Sequence, residues 1–146
     1  LSLHDALPIY FEQAVKTVEP YVKAGKVVAF TGVTQLFPGV KAIPTPGHTP
    51  GHSFYQFESK GESIEFIGDI VHVASVQFPK PKIAIVYDVA PKEAAAQREK
   101  QFASAASQRE LVAGAHLPFP GLGHIRTESD GGFTFVPVDY HDRDGR

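Results

Sequence analysis

The chain has 146 residues, 42% hydrophobic and 21% charged, a balance that supports one globular domain with a real core and excludes an intrinsically disordered chain. Fourteen Lys and Arg oppose 16 Asp and Glu, a formal net charge of -2 with no basic stripe, which argues against nucleic acid as a partner. Cysteine is absent, which excludes disulfides and thiolate metal ligands, and no apolar run approaches the roughly 20 residues of a membrane span.

The first nine residues, LSLHDALPI, match no cap, strand or helix pattern leading into the next segment. They resemble a translated sequencing-adapter tail, and as that or as a disordered terminus, residues 1–9 are expected to lie outside the domain. Either reading removes His4 from the candidate ligands. Residues 11–24, FEQAVKTVEPYVKA, place apolar side chains at a 3.6-residue period and predict an amphipathic helix. Pro20 should bend it, and Gly25 should cap it. KVVAF (26–30) reads as a short strand, Phe37-Pro38-Gly39 as a turn, and VKAIPT (40–45) as a strand. HSFYQFE (52–58) and SIEFIGD (63–69), joined at Lys60-Gly61, predict a hairpin. KIAIVYD (82–88) reads as another strand, against the influence of Pro79 and Pro81. PKEAAAQREKQFASAASQRE (91–110) is a helix, with Pro91 suited to its first turn. LVAGAH (111–116) follows as a buried strand, and HIRTE (124–128) with FTFVPV (133–138) closes the domain as a hairpin around Asp130-Gly131-Gly132. The domain is expected over 10–140, with DYHDRDGR running into a polar tail, 141–146, in which His141 plays no part. Strands interspersed with a few helices predict an α/β or α+β fold.

Candidate chemistry gathers at the ends of predicted strands. TPGHTPGH (45–52) follows VKAIPT and holds His48 and His52 four residues apart, but its two Pro-Gly pairs forbid a helix, so the two imidazoles cannot form a helical metal clip. Asp69 ends SIEFIGD and His116 ends LVAGAH. Strand ends are held by the sheet yet face the rim, where loops build sites. Two imidazoles and a carboxylate suit zinc or another first-row divalent ion. Taken one at a time, each has an ordinary reading as a turn residue; the combination raises the odds.

TPGHTPGHSFY, FIGDIVH and VAGAHLPFPGLGH, followed by a Val-Pro-Val strand, resemble the C-terminal half of a metallo-β-lactamase-fold hydrolase. Within that superfamily they are most similar to the methyl parathion hydrolase and lactonase-like branch. The resemblance implies an αββα sandwich, an α+β fold, with two divalent metals, usually zinc, and a metal-bound hydroxide that cleaves an ester, lactone or phosphotriester. It implies His48 as a ligand of one metal, Asp69 as the catalytic carboxylate bridging both, and His116 as a ligand of the second. Pro46 and Gly47 are expected to fix the loop, and Gly51 to allow a close backbone approach. His52 is expected to support the site rather than ligate, while His72, Phe119 and His124 are expected to line the substrate pocket or to be structural.

The first metal-binding motif of the family, His-x-His-x-Asp-His, is not in these residues. The chain therefore reads as a fragment with half a site, inactive alone, whose small-molecule substrate is handled by a full-length parent. The apolar surface left by a missing half favours self-association, with a homodimer as its simplest form. A mononuclear iron triad of His48, Asp69 and His116 is disfavoured, because such triads draw a histidine and a carboxylate from one strand. A catalytically silent, β-rich binding module retaining the fold is the alternative function.

Overall fold

The computed structural model describes residues 3–140, with side chains from Tyr10 onward. His4 and the polar tail 141–146 with His141 lie outside those described side chains. The chain divides into two compact units, residues 1–30 and 31–146.

The first unit is built on helix α1 (Leu3–Lys23). It begins earlier than the periodicity predicts, since each residue added to an existing turn gains a hydrogen bond at little further cost. It also continues through Pro20. Gly25, at φ +64°, closes it: Lys26 N–H donates to Tyr21 O (2.9 Å) and Gly25 N–H to Val22 O (3.0 Å), the Schellman pattern. The strand expected at 26–30 is absent. Val28 is 88% exposed there, and an extended segment without a partner strand gains nothing from β propensity.

The second unit is one seven-stranded sheet, ordered as the strands occur in the chain. They are β1 (Thr34–Phe37), β2 (Val40–Pro44), β3 (Ser53–Ser59), β4 (Glu62–Phe66), β5 (Leu111–Ala113), β6 (Leu122–Thr127) and β7 (Phe133–Pro137). Neighbours are antiparallel except β4 and β5, which run parallel. A parallel pair needs a long crossover, and residues 67–110 supply it with the short helix α2 (Ala74–Gln77) and the long helix α3 (Pro91–Gln108). The predicted hairpins form, and β1 is an addition, pairing with β2 around Pro38-Gly39.

KIAIVYD is not a strand. Side chains take the Ile83 carbonyl, to which Arg98 Nη2 and Gln77 Nε2 donate, and Arg98 Nε takes the carbonyl of Pro81 just before the segment, while Asp88 N–H turns back to Ile85 O. Ile83, Val86 and Tyr87, which suggested a strand, are exposed, whereas Pro81 just before the segment and Asp88 at its end are buried.

Alternation along the strands separates two faces. The inner face holds Phe54, Val112, Ile125 and Phe133, which pack with Phe102 of α3 and with Ile67, Ile70, Val71 and Phe78 of the crossover. Helix α3 buries Ala94, Arg98, Phe102 and Ala105, a helical stripe with one charged member. The outer face carries Tyr55, Phe57, Phe66 and Val136, all exposed. The architecture is α+β, as the resemblance implies, with no described helix long and apolar enough to cross a membrane.

Candidate metal centre

The parallel pair decides where the chemistry gathers. Ile67 N–H donates to Ala113 O (2.8 Å), carrying the β4–β5 ladder one step past the strand, and Asp69 and His116 then emerge at the same edge of the sheet. The loop between β2 and β3 brings His48 to that edge. Its backbone is tied to the segment entering α3, with Val89 N–H donating to His48 O (3.0 Å) and Ala90 N–H to Gly47 O (2.8 Å). Gly47 makes this contact feasible. It sits at φ +135°, and a Cβ there would meet the Ala94 backbone, 2.5 Å from its Cα. The close approach expected of Gly51 is not found, because nothing lies within 4 Å of a Cβ built there. The close approach belongs to Gly47 instead.

The two carboxylate oxygens of Asp69 face different imidazoles. Oδ2 lies 3.6 Å from His48 Nε2, and Oδ1 lies 3.5 Å from His116 Nε2. His72 joins the group, its Nε2 3.9 Å from Asp69 Oδ2 and its ring stacked on His116 with centroids 4.3 Å apart. One ligand atom each from His48, Asp69 and His72 lies within 4.8 Å of the others. His48 is buried, whereas Asp69 and His116 are partly open to solvent.

These separations exceed a hydrogen bond. Two ligands held at 2.0–2.2 Å by one ion at a tetrahedral angle stand roughly 3.3–3.6 Å apart, so the His48–Asp69 and His116–Asp69 spacings suit divalent ions. His72 fits less well. Its Nδ1 is buried with no hydrogen-bond partner among the described residues, and ligation through Nε2 would force the proton onto that nitrogen.

His52 is engaged on both ring nitrogens. Asp69 N–H donates to its Nε2 (3.1 Å), which leaves Nδ1–H to donate to Thr45, whose hydroxyl and carbonyl oxygens lie 2.8 and 3.1 Å away. It therefore holds the Asp69 backbone. Burial, reinforced by the neighbouring His48, pushes the His52 imidazole below its ordinary range against the pull of the Thr45 carbonyl, which favours the neutral form this pattern needs. Burial likewise lowers His72, with His116 and His48 adding to the effect.

The sequence reading missed two residues. Asp88 Oδ1 lies 3.1 Å from His48 Nδ1, and Asp88 in turn lies 3.6 Å from Arg98, whose side chain is wholly buried. A signal for Arg98 existed, since a charge at a core position of a periodic helix demands a partner. Asp88 carried the same signal as Asp69, a carboxylate ending a predicted strand, KIAIVYD, but no histidine motif accompanied it.

The remaining candidates sit apart from this cluster. His124 pairs with Leu111, the first residue of β5, whereas His116 follows the last, so the two lie toward opposite ends of that strand. Its Nδ1 lies 3.0 Å from Glu110 O, a structural contact. Phe119, 80% exposed, packs edge-on against Tyr140 and lines an apolar cavity of about 390 Å³ with Ala74, Phe78, Phe133 and Phe135.

No family model and no curated protein matches the chain. Solved structures do. AbOPH, a hydrolase in the β-lactamase superfamily, is 39% identical with a TM-score of 0.85 over 95% of this chain and 48% of its own. The chain belongs to the metallo-β-lactamase superfamily. AidC, a dizinc quorum-quenching lactonase solved with a product, is 26% identical with a TM-score of 0.79 over 92% of this chain and 46% of its own. A probable metal-dependent hydrolase from Staphylococcus aureus, 19% identical with a TM-score of 0.57 over 80% of this chain and 42% of its own, shares the superfamily fold. This chain thus spans about half the length of the superfamily members it matches.

Proposed function

We propose that this chain carries one half of a two-metal hydrolase site whose complete form cleaves an ester, lactone or phosphotriester. The reading rests on Asp69, whose oxygens point one to His48 and one to His116, the arrangement a carboxylate shared by two cations requires. AidC, a dizinc lactonase, supports zinc as the metal and a lactone within the substrate class. His48 and Asp69 would hold one ion, and Asp69 and His116 the other. When bound, divalent ions supply Lewis acidity, acidifying water and polarising the carbonyl or phosphoryl oxygen under attack.

The chain's own residues do the positioning. His52 fixes the Asp69 main chain, and neutral His72 presents Nε2 beside the carboxylate, where its N–H is available to a substrate oxygen. The apolar cavity begins two residues beyond His72 and His116 along the chain and offers a surface for a substrate's unreactive portion.

Alone, the chain offers two donors per ion where catalytic zinc takes three and a water, so it should bind zinc weakly and turn nothing over. The exposed aromatic face of the sheet is consistent with a missing partner layer, because such a face is normally covered. The test joins this chain to the first half of a superfamily hydrolase that carries the His-x-His-x-Asp-His motif. The chimera should bind two zinc ions and hydrolyse at least one substrate of the class, and His48→Ala or His116→Ala should abolish both. Full zinc loading and turnover in those two variants would sink the reading.

A further inference from the structure

The Arg98 guanidinium is a hub inside the unit. It donates to Ile70 O (2.7 Å), Pro81 O (2.7 Å) and Ile83 O (2.9 Å), and its Nη2 lies 3.6 Å from Asp88 Oδ2. Ile85 N–H also donates to Oδ2 (3.1 Å). One carboxylate oxygen of Asp88 is thereby claimed by donors, and the other, Oδ1, is left facing His48 Nδ1 at 3.1 Å. A carboxylate only accepts, so the imidazole proton must sit on Nδ1 and the bare lone pair on Nε2, on the side of Asp69.

We propose that the buried Arg98–Asp88 pair is a positioning device that locks His48 in its Nδ1–H tautomer and so presents Nε2 ready to ligate. Arg98 also holds the Ile70 carbonyl, one residue from Asp69, so a single guanidinium steadies the segments that carry both groups. The device rests on the reading of His48 as a ligand only for its purpose. The tautomer itself is measurable without metal.

Asp88→Asn tests this sharply. Arg98 and Ile85 N–H still require an acceptor at the Oδ2 position, so the introduced amide oxygen turns there and its NH₂ faces His48. Donor then meets donor, and His48 must move its proton to Nε2. The measurement is long-range ¹H–¹⁵N correlation of the His48 ring nitrogens in the metal-free full chain at pH 8, with the backbone amide spectrum as the folding control. The expected result is Nδ1–H in the parent chain and Nε2–H in Asp88→Asn, with zinc binding by the chimera carrying Asp88→Asn weakened about 10–100-fold. Arg98→Lys is the second variant. An ammonium cannot replace the fork that pins Oδ2, so His48 should show a mixture of tautomers.

The proposal fails outright if His48 in the parent chain is the Nε2–H tautomer, or if every folded variant keeps the parent pattern. A flipped tautomer with unchanged zinc affinity would uphold the device and count instead against His48 as a metal ligand.

Discussion

Gly47→Ala should be among the most damaging single-methyl additions available to this chain, and Gly51→Ala among the most benign. The two glycines occupy the same position in successive Pro-Gly pairs of one loop, so the comparison holds residue type and neighbourhood nearly constant. At Gly47 the backbone sits at φ +135°, a region that costs an L-residue about 1–3 kcal/mol. The added Cβ also collides with backbone atoms of Ala94, which no side-chain rotation can relieve, and overpacking of that kind costs about 1–3 kcal/mol more. The midpoint is about 4 kcal/mol, or a drop in melting temperature of about 15 °C at roughly 4 °C per kcal/mol. At Gly51 nothing lies within 4 Å of the new methyl, and the melting temperature should move by no more than about 2 °C. Thermal denaturation followed by circular dichroism decides this. In the chimera described above, Gly47→Ala should also weaken zinc binding, because the loop can escape the clash only by lifting His48 off Val89 and Ala90. Coincident melting curves for the two variants would refute the claim that close packing on α3 sets the position of His48.

The two histidines of the same loop should separate as well: in the chimera, His48→Ala should remove an ion, whereas His52→Ala, which frees the Asp69 N–H and Thr45 but no proposed ligand, should cost about 10–100-fold in zinc affinity. Metal analysis and titration check this, and equal or reversed effects would mean that the wrong histidine has been chosen. Glu65 gives a pH prediction. Burial, with Glu110 nearby, pushes its carboxyl up to about 7, so the folded state holds a proton that the unfolded state releases near 4.5. Stability should therefore fall as pH rises through that window and level off above it, and Glu65→Gln should recover up to about 3 kcal/mol at pH 8 but almost nothing at pH 4.5. Urea unfolding at the two pH values measures it, and a gain independent of pH would refute the assignment. The exposed aromatic face should drive self-association, so sedimentation of the chain should depend on concentration, and Phe57→Lys should suppress it.

Much of the candidate site could be read from the sequence, because its proposed donors lie just past strands whose patterns are plain. Val112 and Phe54 are buried within β5 and β3, and the turns around Lys60-Gly61 and Gly131 are placed where their glycines predict. Asp69 and His116 follow from where β4 and β5 end, and the superfamily resemblance supplies the pairing that periodicity cannot. What escaped detection depends on contacts distant in sequence. Nothing in TPGHTPGH distinguishes the glycine that meets α3 from the one that meets solvent, since that depends on residues 89–94.

The segment 82–88 shows why the deeper layer of the site was hidden. Its β-branched and aromatic residues satisfy every local rule for a strand, and a strand would need a neighbour to take its backbone groups. The gap between β4 and β5 is closed, because those two strands pair with each other, and the segment pairs with no strand of the sheet. The buried Arg98 guanidinium instead binds Ile83 O within the segment and Pro81 O just before it. A guanidinium placed among backbone carbonyls alone would be a buried charge without an anion, which is costly. Asp88, at the end of the same segment, supplies the anion, and its second oxygen then has only His48 to face. The carboxylate that compensates the buried cation is therefore the one that orients the imidazole, and neither role can be inferred until the segment is known not to be a strand.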